Sequence, residues 1–92
     1  MELQFTGKNI TVSDALKNHA IEKFNHLEKP FSNITHANVV FHIEHIDQVA
    51  EATLHAYGKE FHASATTHDM YQSIDELVRK LSAQLTKHKG AS

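Results

Sequence analysis

Apolar side chains recur along this chain with two periods, and each change of period marks a change of element. Residues 2–6 alternate between apolar and polar, which predicts a short strand. Over residues 13–28 the apolar spacing becomes three and four, which predicts an amphipathic helix capped by Thr11 or Ser13 and stopped by Pro30. The predicted buried face of this helix consists of Val12, Leu16, Ala20, Phe24, Leu27 and Phe31.

Alternation returns in the middle of the chain. Residues 34–43 predict a second strand, whose inward set is Ala37, Val39, Phe41 and Ile43. Residues 51–66 predict a hairpin, because Gly58-Lys59 between two alternating runs fits a two-residue turn of type II′. That turn implies a register whose facing pairs are Ala56 with Phe61, Leu54 with Ala63, and His55 with His62.

A second helix closes the chain. It is predicted to begin near Asp69, where Asp69 and Gln72 form a capping box. Its predicted buried stripe consists of Met70, Ile74, Leu77, Leu81 and Leu85, with Val78 beside it. The order of elements is β-α-β-β-β-α. Because each element has one apolar face, we predict an α+β fold with both helices packed on one face of a four-stranded sheet.

Length and composition limit the possible architectures. A chain of 92 residues supports one hydrophobic core, so residues 1–92 are predicted to form a single domain. The N-terminus has no signal-peptide pattern, and no apolar run approaches the ~20 residues of a membrane helix. With no cysteine, disulfides and thiolate zinc sites are excluded. We expect a soluble, cytoplasmic protein without a membrane partner.

Charge is distributed unevenly, although the formal net charge is only -2. Residues 1–43 are neutral overall, residues 44–78 carry -6, and residues 79–92 carry +4. Such an asymmetry orients a protein on a charged partner.

The cations follow helix flanks. At about 100° per residue, Lys80, Gln84 and Lys87 lie on one flank of the last helix. His88 lies at the edge of its apolar stripe. The first helix places His19, Lys23 and His26 on a single flank. If the helices pack side by side, the two flanks border one shared groove that suits phosphate. The charges alone leave an alternative open, in which these cations are solvated and merely complement the helix dipole.

Two common modes of RNA binding fit poorly. A double-stranded RNA-binding domain has a similar layout, but its last helix starts with basic residues, whereas residues 69–76 are acidic. An RNA recognition motif stacks bases on exposed aromatic side chains of its sheet, and here Phe41 and Phe61 are predicted to point inward and only Tyr57 outward. Any RNA contact is therefore expected from helix flanks and phosphates.

Nine histidines raise the question of a metal. His55 and His62, predicted to face each other across the hairpin, are candidates for adventitious metal binding. No physiological metal or cofactor is expected, since the chain has no His-Glu-x-x-His motif, but a histidine-rich metal-binding protein remains the alternative function. Without a cysteine, a glycine-rich phosphate loop or a nucleophile elbow, neither enzyme activity nor a small-molecule substrate is expected.

Three stretches resemble one protein family. They are FTGKNITVSDALKNHAIEKFNHLEK, ATLHAYGKEFHASA and DMYQSIDELVRKLSAQLTKHK, and the likeness that they carry extends over essentially the whole chain. They are similar to the ribosome hibernation promoting factors, and the pattern D-M-Y-x-x-I-D with a Lys-His-Lys helix end is the most specific part. The resemblance implies a β-α-β-β-β-α fold. It also implies a stationary-phase, stress-response protein that binds the small ribosomal subunit where messenger RNA and A- and P-site transfer RNA lie, and thereby blocks translation.

The resemblance further implies contact residues and partners. By position, the residues that face rRNA are Lys23, Lys80, Lys87, His88 and Lys89, to which the flank adds Gln84. Some relatives have an arginine at the position of Ala83. Ending at Ser92, the chain is similar to the short form of the family. That form implies cooperation with a ribosome modulation factor to pair ribosomes into inactive dimers, and the free protein is expected to be monomeric.

Overall fold

The computed structural model describes residues 1–90, with Lys89 described by its backbone alone. The elements of this part are β1 (Glu2–Lys8), α1 (Asp14–Glu28), β2 (Ile34–Glu44), β3 (Asp47–Ala56), β4 (Lys59–Thr67) and α2 (Met70–Gly90). The strands form one sheet in the order β1-β2-β3-β4, in which β1 is parallel to β2 and the other pairs are antiparallel. The predicted order of elements is confirmed.

Both helices bury their apolar stripes against the same face of the sheet. In β2, Ala37, Val39 and Phe41 are buried, whereas Asn38 between them is exposed. One hydrophobic cluster joins these strand residues to the stripes of both helices, namely Leu16, Ala20, Phe24 and Leu27 of α1 and Met70, Ile74, Leu77, Leu81 and Leu85 of α2. The predicted α+β fold class is confirmed. Of the predicted inward residues of α1 and β2, Val12 and Ile43 are half-buried and the others are buried.

The helix starts follow the predicted caps. Ser13 Oγ accepts a hydrogen bond from the Leu16 N–H at 3.1 Å, so Ser13 is the cap of α1. Asp69 Oδ1 accepts from the Tyr71 N–H at 3.0 Å at the start of α2. The second half of the predicted capping box differs, because the Asp69 N–H donates to Thr67 Oγ1, at 3.1 Å.

The predicted turn of the last hairpin is wrong by one residue. The two turn residues are Tyr57 and Gly58, with φ angles of 55° and 70°. Positive φ at both central positions is the type I′ geometry, which, like the predicted type II′ turn, matches the twist of the flanking strands. The facing pairs are therefore Leu54 with Phe61 and Ala56 with Lys59. Because the register shifts by two residues, the side chains of β3 and β4 keep their predicted faces of the sheet.

Two strands are longer than predicted. β1 continues through Gly7, where a Cβ atom would lie 2.3 Å from the backbone oxygen of Ile10. Glycine is needed at this position for the close approach of the following loop, and it does not end the strand. β3 begins at Asp47, directly after a two-residue turn that includes His45 at a φ of 58°.

Candidate nucleic-acid interface

One flank of α2 faces α1 across a shallow groove of about 370 Å³. Lys23 and His26 of α1 line the groove opposite Asp75 and Arg79 of α2. The Lys23 ammonium lies 3.7 Å from Asp75 Oδ1, and His19 Nε2 lies 2.8 Å from the same oxygen. The single carboxylate of Asp75 therefore holds both α1 side chains toward α2, and it places negative charge inside the groove.

The other flank of α2 faces the edge of the sheet at β4. Lys80 Nζ donates to the backbone oxygen of Ser64 at 2.7 Å, and Gln84 Nε2 donates to the backbone oxygen of His62 at 2.7 Å. Lys87, one turn beyond Gln84, is exposed on this flank. These side chains combine hydrogen-bonding groups with positive charge along one line of the helix.

The predicted shared groove is wrong. Lys80 follows Asp75 by five residues, which turns it about 140° further round the helix axis. Lys23 pairs with Asp75 and Lys80 contacts β4, so these two lysines lie on opposite flanks of α2. The apolar period of a helix fixes its buried stripe but does not say which flank its neighbour occupies, and for that reason the sequence placed both flanks together.

Arg79 is a cation of α2 that was not among the predicted contact residues. Its side chain is 75% exposed and its guanidinium lies 3.8 Å from Glu76 Oε1. It lines the groove that contains Lys23, and it lies about 100° round the helix axis from Lys80. Arg79, Lys80 and Lys87 together form a convex, solvent-facing surface, which we call the α2 cationic face. Adjacent cations in a helix differ by about 100°, so the pair Arg79-Lys80 was the signal that the basic surface spans an arc and not a line.

His88 contributes to packing at the end of α2. Its ring centroid lies 5.3 Å from that of Tyr57 and 5.7 Å from that of Phe61. This contact brings Tyr57 to the helix side of the sheet, so its predicted outward direction is wrong. The side chain of Lys89, which was also predicted to face rRNA, lies outside the described residues.

The opposite face of the sheet carries carboxylates and histidines. Alternation along the strands points several acidic and imidazole side chains away from the helices: Glu2, His36, His42, Glu51, His55, Glu60 and His62. The rings of His36 and His55 stack with their centroids 3.9 Å apart. At neutral pH this face is negative, whereas the C-terminal half of α2 is positive, so the charge asymmetry of the sequence becomes an asymmetry between the two sides of the molecule.

The proposed histidine pair does not form. His55 faces Glu60 across the hairpin, and His62 faces Thr53, whose Oγ1 lies 3.0 Å from His62 Nδ1. Within residues 1–88, no group of three or more His, Cys, Asp or Glu side chains is arranged to hold a metal ion. The metal-binding alternative therefore has no support in this part of the chain. No helix of the described part is long and apolar enough to span a bilayer.

Comparison with known families identifies the group of proteins to which this arrangement belongs. A family model described as sigma 54 modulation protein / S30EA ribosomal protein matches residues 3–92. The chain belongs to the S30EA family. A ribosome hibernation promoting factor of Escherichia coli strain K12 is 45% identical over 89 residues, which are 97% of this chain and 94% of that relative. The predicted membership in this family is confirmed.

Solved structures of the S30EA type share the fold. A ribosomal subunit interface protein from Coxiella burnetii superposes with a TM-score of 0.93 at 30% identity, over 98% of this chain and 99% of that one. The N-terminal domain of Thermus thermophilus Protein Y has a TM-score of 0.87 at 22% identity, over 96% and 99% of the two chains, which is a likeness of fold. The four-stranded sheet with two helices is thus the family architecture.

Proposed function

We propose that this protein silences translation by binding the rRNA of the small ribosomal subunit through the α2 cationic face. The observation that carries the proposal is the cluster of exposed Arg79, Lys80 and Lys87 on a helix that has no acidic residue after Glu76. Closely spaced cations on a rigid helix neutralise a phosphate backbone, and a helix keeps them in fixed positions. The named relatives, which are ribosome hibernation promoting factors, support a ribosomal partner.

The proposed contact residues come from both helices, with one from α1 and the others from α2. They are Lys23, Arg79, Lys80, Gln84, Lys87, His88 and Lys89. Arg79, Lys80 and Lys87 are exposed and would bind phosphates directly. Lys23 lies at the margin of the surface, where its ammonium is shared with Asp75, and we expect it to contribute less. His88 would act mainly by fixing the end of α2 against Tyr57.

The charge on the two sides of the molecule favours one orientation on the subunit. The acidic sheet face is repelled by rRNA, so the helix layer turns toward it. We propose that residues 1–92 act as one ribosome-binding domain, which lodges in the channel used by messenger RNA and by A- and P-site transfer RNA. Exclusion of those ligands is steric, so the mechanism needs no catalysis, cofactor or small-molecule substrate.

We further propose a place for this binding in the cell. The protein would act in the cytoplasm during stationary phase and under stress. It would cooperate with a ribosome modulation factor, so that silenced ribosomes pair into inactive dimers. The free protein is proposed to be a monomer, which leaves the α2 cationic face open before the subunit is met.

Co-sedimentation in a sucrose gradient tests the ribosomal partner directly. The protein is expected to migrate with the small subunit and to be displaced by messenger RNA together with P-site transfer RNA. With about four phosphate contacts and a slope of about -0.7 per contact, doubling the salt concentration should weaken binding about sevenfold. Migration at the top of the gradient, or binding that is insensitive to salt, would refute the proposed rRNA contact.

A further inference from the structure

β4 is an edge strand, and its hydrogen-bonding groups alternate between β3 and the outside. The two-residue turn makes Ala56 and Lys59 a hydrogen-bonded pair, so every second residue of β4 from Lys59 onward points its backbone groups at β3. The residues between them turn their N–H and C=O groups to the open edge, and they are Glu60, His62, Ser64 and Thr66. An edge of this kind is a template for a further strand.

Two side chains of α2 occupy the middle of that edge. Gln84 Nε2 donates to the His62 oxygen and Lys80 Nζ donates to the Ser64 oxygen, each at 2.7 Å. These are the two central outward-facing carbonyls of the strand. A second strand that docked on β4 would have to displace both donors, and it would also have to bury the Lys80 ammonium against its own backbone.

We propose that Lys80 and Gln84 close the β4 edge against pairing with a second copy of this chain. The second copy is the expected occupant, because two β4 edges would meet with the same outward-facing groups in antiparallel register. This role is independent of the ribosome. Closure of the edge explains why the uncharged Gln84 lies on the same flank as Lys80 and Lys87. Its amide NH₂ group donates to a backbone carbonyl as the Lys80 ammonium does.

The two roles of Lys80 are compatible. A lysine ammonium has three donors, and the Ser64 oxygen takes one of them. The remaining donors point to solvent, on the α2 cationic face. Lys87 lies on the same flank and is exposed. Its replacement by alanine therefore removes a positive charge from this flank without removing a donor from the β4 edge.

The test is the oligomeric state of the variant Lys80→Ala/Gln84→Ala, measured by sedimentation equilibrium over a range of protein concentrations. The dimer dissociation constant is expected to fall about tenfold or more relative to the wild type, because without the two side chains the solvated carbonyls of His62 and Ser64 become accessible to the N–H groups of a second β4. Lys87→Ala is expected to match the wild type. Adding Ser64→Pro to the double variant should restore the monomer, since it removes an outward-facing N–H and leaves the pairing with β3 intact.

A second variant separates loss of the edge cover from loss of folding. Lys80→Met/Gln84→Met keeps unbranched side chains of similar length on α2 but has no donors, so it too is expected to self-associate. Far-ultraviolet circular dichroism shows which variants are folded. A folded variant of either type that remains as monomeric as the wild type would overturn the proposal, and so would self-association that Ser64→Pro does not reverse.

Discussion

Replacing Arg79 and Lys87 together by glutamate is expected to weaken binding to the small ribosomal subunit by about 100-fold or more. Each of these exposed cations is proposed to make a charge-assisted hydrogen bond to a phosphate, which is worth roughly 1.5 kcal/mol, and the new carboxylates add repulsion. Neither residue contacts β4 through the hydrogen bonds made by Lys80 and Gln84, so the edge of the sheet stays covered. Affinity for purified small subunits, measured by filter binding, gives the magnitude.

The matched control is Lys8→Glu/Lys59→Glu. It changes the net charge by the same amount, at two exposed lysines of the sheet. Electrostatic steering by net charge alone would weaken both variants equally. Equal loss in the two variants would therefore contradict a contact through α2, whereas a loss confined to Arg79 and Lys87 supports it.

Replacing Phe24 by alanine is expected to lower the free energy of unfolding by about 3–5 kcal/mol. The ring is completely buried in the hydrophobic core, where α1 packs on the sheet and beside α2. A domain of this size has a total stability of about 5–15 kcal/mol, so the variant should unfold at a much lower urea concentration. Urea titration followed by circular dichroism measures the change.

Asn25→Ala is the control for that substitution. Asn25 is the next residue of α1 but is exposed, and its replacement should change the stability by less than about 0.5 kcal/mol. A loss below about 1 kcal/mol for Phe24→Ala would mean that α1 is not seated in the core as described. In that case the position of Lys23 beside Asp75 would also lose its support.

Much of the fold can be read from periodicity, because burial itself creates the pattern. The stripe from Met70 to Leu85 has one face at helical spacing, and all of its predicted members are buried. The position of the hairpin turn was harder to predict. A turn at Tyr57-Gly58 and a turn at Gly58-Lys59 give the same alternation of inward and outward residues along the strands. Only the backbone conformation, with positive φ at both Tyr57 and Gly58, decides between them.

The interface was less predictable than the fold. Helical spacing correctly grouped Lys80 with Gln84, but it gave no information on what that flank faces. In the structure the flank faces backbone carbonyls of β4, while Lys23 faces Asp75 on the far side of α2. The relative placement of two helices depends on which strands each one covers, and this is a property of the tertiary packing that no local pattern encodes.

The most direct test of the α2 cationic face uses cleavage of rRNA from chosen points on the protein. The chain has no cysteine, so a single cysteine can carry an iron chelate that generates hydroxyl radicals. One probe is placed by Ala83→Cys, on the exposed side of α2, and the other by Gln4→Cys, on the outward face of β1. Strong cleavage of small-subunit rRNA at the messenger and transfer RNA channel is expected from position 83, and much weaker cleavage is expected from position 4. Equal or stronger cleavage from position 4 would contradict binding through the α2 cationic face.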